Sequence, residues 1–245
     1  MSRASDTKEY YDGFSRRVLV RDFRYLNLRH EAIKSLYGRF IPRGARVLDV
    51  GCGVGILARF LQKKASFVLA VDISEENVRV ASRYAGSDRC EVRRLDIVEE
   101  ADELVKYGSF DAVVLPDVIE HIPKADYPGL FAAVENILSR DGRVILTFPT
   151  PEMQVYLENE QPEAMQLHEE KIEAADILSV TSLKPIYFAY QSVFGTNDYV
   201  HFVLAARREY SARGPGVSPL GWILRRLKKY WWRMSNAAFL RKLDR

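Results

Sequence analysis

Short apolar runs and helically spaced apolar residues alternate along most of the chain. Residues 46–50, 66–71, 110–115 and 143–148 are rich in Val, Ile, Leu and Phe and are bounded by turn formers, and each reads as a strand, as does the more polar run 90–95. Between them apolar residues recur every three or four positions. This spacing predicts helices from the glycine-rich loop to Lys64, from a cap at Ser74-Glu75-Glu76-Asn77, up to a break at Tyr107-Gly108, and from Tyr127 to Leu138. Strand and helix in alternation predict an α/β fold built on a doubly wound, mostly parallel sheet, with ligands at the carboxyl ends of its strands.

Before the first strand, Tyr10, Tyr11, Phe14, Val18, Phe23, Leu26, His30, Ile33 and Leu36 fall at helical spacing, so residues 8–40 read as helices that end at Pro42-Arg43-Gly44. After the fifth strand, Pro149-Thr150-Pro151 opens a mostly helical insertion, 152–178. Two strand-like runs follow, 186–194 and 199–205, separated by the hairpin signal Gly195-Thr196-Asn197-Asp198. The resulting division is a helical cap (1–40), a catalytic domain (41–210) and a C-terminal segment (211–245).

With 245 residues, 47% hydrophobic and 28% charged, the chain suits one α/β domain with additions. Its two cysteines, Cys52 and Cys90, are far apart and lack neighbours at metal-ligand spacing, which suggests neither a disulfide framework nor a zinc site and fits a reducing cytoplasm. The N-terminus lacks the apolar core of a signal peptide, and no run approaches transmembrane length. Net charge is only +3, but residues 211–245 carry nine Lys/Arg against one acid, a net of +8, leaving 27 against 32, or −5, for residues 1–210.

That basic tail follows the linker Gly214-Pro215-Gly216-Val217-Ser218-Pro219. Leu220, Ile223, Leu224, Leu227, Tyr230, Trp231, Met234 and Ala238 share one helical face, and Arg225, Arg226, Lys228, Lys229 and Arg233 the other. Such a helix suits an anionic membrane surface, contacted through 220–242 at the cytoplasmic face. Docking on the enzyme itself or in an oligomer is the alternative, and nucleic acid a third reading.

The stretch Asp49-Val50-Gly51-Cys52-Gly53-Val54-Gly55-Ile56 joins the first strand to an apolar helix. Glycines let the chain turn and let backbone amides approach a ligand at a helix N-terminus. Ile56 stands where a dinucleotide fingerprint has its third glycine, and Asp49 would repel a pyrophosphate but suits a cationic ligand. Asp72 ends the second strand 21 residues after Gly51, the place from which an acid receives ribose hydroxyls.

With these elements the sequence resembles class I S-adenosylmethionine (SAM)-dependent methyltransferases. The resemblance implies a seven-stranded sheet with an antiparallel last strand, and SAM as cofactor. It implies contacts to SAM from Asp49, Gly51, Cys52, Gly53, Gly55, Asp72 and Ile73, and from Leu115 and Pro116 after the fourth strand. Asp96 and Ile97 would read adenine, against an alternative in which Asp96 only forms an Asx-turn. Tyr11 from the cap and Arg29, in competition with Arg24, would complete the cofactor site.

Methyl transfer to a hydroxyl needs in-line alignment and removal of a proton. His121, just past the fourth strand, is the first candidate base; His168 in the insertion is the alternative, and His201 reads as a satisfied sheet residue. Asp117, Glu120 and His121 would share one helical turn, where they could hold a divalent metal such as Mg. A similar run occurs in O-methyltransferases of ubiquinone synthesis. The sequence therefore points to O-methylation of a lipid-linked or amphiphilic acceptor, such as a glycan intermediate or quinone precursor. A soluble small-molecule methyltransferase whose tail makes an oligomer is the alternative, and a non-enzymatic SAM-binding module a further one. An RNA substrate is disfavoured by the acidic body and by Leu115-Pro116-Asp117-Val118, which is no Asn-Pro-Pro-Tyr-type run.

Overall fold

A computed structural model describes residues 27–162 and 168–207, together with Arg226 and Leu227. The expectations for Tyr11, Arg24 and the remainder of residues 1–26, for positions 163–167 of the insertion, and for nearly all of the basic tail fall outside the described residues. Arg226 and Leu227 are exposed helical residues of a second unit, 209–245.

Seven strands form one sheet: β1 (Arg46–Val50), β2 (Phe67–Asp72), β3 (Cys90–Arg94), β4 (Phe110–Pro116), β5 (Leu138–Pro149), β6 (Lys184–Gln191) and β7 (Tyr199–Ala205). Their order is β3-β2-β1-β4-β5-β7-β6. All pairs from β3 to β5 are parallel, and β7 runs antiparallel to both β5 and β6. This is the mostly parallel, doubly wound sheet with an antiparallel last strand that the sequence predicts.

The central strands are apolar on both faces because helices cover both, whereas the edge strands β3 and β6 carry polar or exposed positions. On one face Leu48, Val50, Leu69, Val113, Leu115, Val144 and Leu146 pack with Tyr127, Phe131 and Val134 of helix α4 (Tyr127–Ile137). On the other, Val47, Val68, Ala70, Val114 and Ile145 lie with Ile33, Leu36 and Tyr37 of α1 (Leu28–Phe40) and with Leu57 and Leu61 of α2 (Ile56–Leu61). Residues two apart share a face, as pleating requires. Each large side chain so buried contributes about 1.5–3 kcal/mol relative to exposure.

Local signals set the helix starts. The Asn27 side chain accepts the amides of Arg29 and His30 to cap α1, and Ser74 accepts that of Asn77 to cap α3 (Glu75–Ala85). Thr150, followed by Pro151, caps α5 (Pro151–Glu160), and α6 (Ala174–Leu178) closes the insertion.

Several predicted elements differ: β5 opens at Leu138 and not at Arg143, and α2 ends at Leu61 and not at Lys64. The helix before β4 is a 3₁₀ segment, Ala101–Tyr107, with Leu104 its one buried side chain and Gly108, at φ 73°, ending it. A single apolar anchor gives too little burial to set a longer α-helix there. β6 stops at Gln191 instead of running to Phe194, because the amides of Val193, Phe194 and Gly195 donate to the Asp198 carboxylate at 2.6–2.8 Å and are lost to the ladder. Among the described residues no helix is long and apolar enough to cross a membrane.

The chain leaves β1 for β2 and β3 on one side, then returns to β4 on the other. The crevice beyond the carboxyl ends of β1 and β4 is therefore the switch point at which such folds bind ligands.

Candidate active site

The glycine loop is built from positive backbone angles. Gly51 (φ 66°) lies so close to Val118 that a Cβ would sit 2.3 Å from its Cγ2. Gly55 (φ 86°) starts α2, and its place against Ala81 and Ala85 brings that helix close to α3. At Gly53 (φ 52°) a Cβ would meet nothing within 4 Å, so the backbone there borders open space.

Asp49 is fully buried, and neither of its carboxylate oxygens has a hydrogen-bond partner among the described residues. Burial, reinforced by the charge of Asp72, pushes its pKa up to about 8. The Tyr37 hydroxyl, equally buried and unsatisfied among the described residues, is held well above its usual range by burial and then by Asp49 and Asp117. A buried acid and phenol left unsatisfied beside the switch point fit a ligand ammonium, which supplies both charge and donors. SAM carries such a group.

Asp72 has a structural duty besides the one expected for it. Its Oδ2 accepts the Gly53 amide at 2.8 Å, and its Oδ1 accepts the Ser74 amide at 2.9 Å and Asn77 Nδ2 at 3.1 Å. It thus ties the glycine loop to the N-terminus of α3, with Ile73 half-buried beside it. Oδ1 takes two donors and Oδ2 one, so a ligand hydroxyl at Asp72 would share these oxygens with the loop and the helix start. Asp96 forms the Asx-turn, accepting the amides of Val98 at 2.9 Å and Glu99 at 3.4 Å through Oδ1 alone; Oδ2 takes no part in it. Ile97 and Leu115 pack into the core, Pro116 ends β4, and Cys52 is buried with its thiol pushed up by burial.

Beyond β4 lies a second polar group. Asp117 adopts φ 53°, rare for a residue with a side chain. Its carboxylate pairs with Arg29 Nη1 at 2.7 Å and accepts Thr147 Oγ1 at 3.2 Å, and Arg29 also donates to the Tyr199 hydroxyl at 3.3 Å. Arg29 is therefore brought to the ligand end of the sheet. The left-handed turn at Asp117 breaks the expected helical trio: only Ile119–His121 is helical, as a 3₁₀ turn.

Asp117, Glu120 and His121 do not make a metal-ligand set, and no group of three His, Cys, Asp or Glu among the described residues does. Asp117 is committed to Arg29 and Thr147. Glu120 is 2% exposed, its Oε2 has no hydrogen-bond partner among the described residues, and burial, then Asp117, drive it toward the neutral acid.

The His121 ring is nearly buried, with Nδ1 2.9 Å from the carbonyl oxygen of His168 and 3.8 Å from Glu169 Oε1. A carbonyl only accepts, so Nδ1 carries the proton and Nε2 the lone pair. Burial lowers the pKa of the ring, opposed by Glu169, the His168 carbonyl and Asp117. His168 thus reaches the site through its backbone; its half-exposed imidazole lies 3.3 Å from Glu170. His201 is buried on β7, but its Nε2 has no partner among the described residues, so it is not the satisfied histidine expected, and burial holds its pKa at about 4.

Sequence reasoning missed Tyr37, Gln154, Glu169 and Tyr199. Tyr37 shares the helical spacing of Ile33 and Leu36 and so reads as core; Gln154 carries no signal in a surface-like insertion.

A methyltransferase-domain family profile matches residues 23–184. The ubiquinone biosynthesis O-methyltransferase of Xanthomonas axonopodis pv. citri (strain 306) is 36% identical over 110 residues, covering 44% of this chain and 45% of that protein. Its counterpart in Neisseria meningitidis serogroup C (strain 053442) is 34% identical over 111 residues, covering 43% and 44%. The chain thus spans less than half the length of these curated relatives. Among solved structures, magnesium protoporphyrin IX methyltransferase from Synechocystis PCC 6803 with bound SAH superposes with a TM-score of 0.64 at 20% identity, over 82% of this chain and 98% of that one. A SAM-dependent methyltransferase from Anabaena variabilis gives 0.67 at 16%, over 84% and 96%. The matched family profile spans the glycine loop, the strands that line the crevice and the turn beyond β4, and the chain belongs to the methyltransferase-domain family, with the fold of class I SAM-dependent methyltransferases.

Proposed function

We propose that the protein methylates a hydroxyl oxygen of a small-molecule acceptor, with His121 as general base. The observation that carries this reading is the commitment of His121 Nδ1 to the His168 carbonyl at 2.9 Å, which leaves Nε2 as the basic nitrogen in a ring that burial keeps neutral. SAM supplies a methyl group on a sulfonium sulfur.

In this reading the Asp49 carboxylate and the Tyr37 hydroxyl receive the cofactor ammonium. Asp72 orders the glycine loop, and Asp96 reaches the adenine with its Oδ2. The acceptor hydroxyl gives its proton to His121 Nε2 as the new O–C bond forms, and Glu169, 3.8 Å from Nδ1, stabilises the imidazolium. The names of the curated relatives support oxygen as the methylated atom, through the segment they share with this chain. The membrane-facing version rests on 220–242, almost all outside the described residues.

His121→Ala tests the assignment. Turnover of SAM with acceptor should fall by about 10²-fold or more, while SAM affinity stays within about twofold because the imidazole is placed against the acceptor. Unchanged turnover would remove the base.

A further inference from the structure

Gln154 is 1% exposed in α5, a helix that carries no expected functional residue. Its Nε2 donates to the carbonyl of Glu170 at 2.9 Å and to Glu169 Oε2 at 3.2 Å. Reversing the amide would set Oε1 against two acceptors, so this orientation is chemically fixed. Oε1 is left buried without a partner among the described residues. An apolar side chain would fill the same space without that cost, so the amide stands there for its donors.

Those donors act on Glu169 and Glu170, the last two of three consecutive residues that lie over the catalytic turn. The His168 carbonyl takes His121 Nδ1, Glu169 faces the same nitrogen, and the Glu170 amide donates to the Glu120 carbonyl at 2.7 Å. The charged and titratable groups facing His121 are Glu169, Asp117 and Arg29, with His168 and Glu120 adjoining.

We propose that Gln154 is a positioning residue that holds 168–170 against the catalytic turn and so fixes which nitrogen of His121 carries the proton. The idea rests on His121 being the base, yet its test does not depend on that role. A free neutral imidazole prefers its proton on Nε2, whereas here the His168 carbonyl draws it to Nδ1. Without the Gln154 clamp the carbonyl drifts from Nδ1 and the preference reverts.

The test uses the full chain, labelled with ¹⁵N-histidine, in long-range ¹H–¹⁵N spectra near neutral pH. The wild type should show His121 protonated on Nδ1. Gln154→Met, which keeps the volume, and Gln154→Leu, which likewise lacks a donor, should both move the proton to Nε2. In either variant turnover should fall by about tenfold or more, with SAM affinity within about twofold. A folded variant that retains the Nδ1–H form overturns the proposal. If His121→Ala leaves turnover intact, the base assignment falls, while the spectra still decide the role of Gln154.

Discussion

Asp49→Asn separates the cost of a buried acid from its use. The carboxyl has no hydrogen-bond partner among the described residues, and its pKa is pushed from 3.8 up to about 8. Between those values the folded chain holds a proton that the unfolded chain has released, so stability falls as pH rises, by about 1.4 kcal/mol per unit. The contribution is fully present below pH ~4 and lost as pH passes about 8. The amide introduced by D49N has the same shape as the carboxyl and does not titrate. From pH 5.5 to 7.5 the wild type should therefore lose roughly 2–3 kcal/mol relative to D49N, or some 4–10 °C in Tm. SAM binding should reverse the order. An ammonium facing a desolvated carboxylate contributes about 2–4 kcal/mol, so D49N should bind SAM roughly 30- to 1000-fold more weakly. Wild-type affinity should also rise with pH up to about 8, because binding the cation expels the proton. Thermal unfolding across pH and titration calorimetry with SAM measure both effects. Parallel stability curves, or full SAM affinity in D49N, would refute the placement of the ammonium at Asp49.

Three other outcomes follow from local geometry. Gly51→Ala combines φ 66° with a Cβ 2.3 Å from Val118 Cγ2; it should cost about 2–4 kcal/mol, and Val118→Ala in the same chain should return all but the ~1 kcal/mol due to φ, as measured by denaturant unfolding. Asp198→Ala removes the acceptor of three amides and should destabilise the 192–198 turn by about 2–4 kcal/mol, seen as faster amide exchange at Val193 to Gly195. Burial opposes the ionised form of Asp198, but those amides outweigh it and hold the pKa below the usual carboxylate value. Its contribution should thus persist above pH ~4 and fade only in stronger acid.

The sheet was legible because its central strands are compact apolar runs between turn residues, and Asp49-x-Gly-x-Gly-x-Gly announces its own backbone angles. Legibility failed where a polar residue changed the role of its neighbours. Asp198 captures three amides and shortens β6, and Asp117 turns left-handed and so leaves the helical turn in which spacing places it with Glu120 and His121. The acceptor side was the least readable part. His121 could be named from its place after β4, but its tautomer is set by a backbone carbonyl 47 residues away, and that carbonyl is held by Gln154 through the residues that follow it. Contacts of that length leave no periodicity. Arg29 was named through resemblance, whereas its partners Asp117 and Tyr199 come from separate strands' ends and only the fold joins them.

Transfer of a methyl group from SAM to oxygen, with His121 taking the proton, is tested most directly by product identification. The full chain, and His121→Ala beside it, would be incubated with methyl-labelled SAM and fractionated small metabolites and lipids, and the labelled product characterised. A methyl ether in a small-molecule fraction is expected with the wild type, and almost none with the variant. Label on nitrogen, equal labelling by both proteins, or tight SAM binding with no labelled product in any fraction would contradict the mechanism.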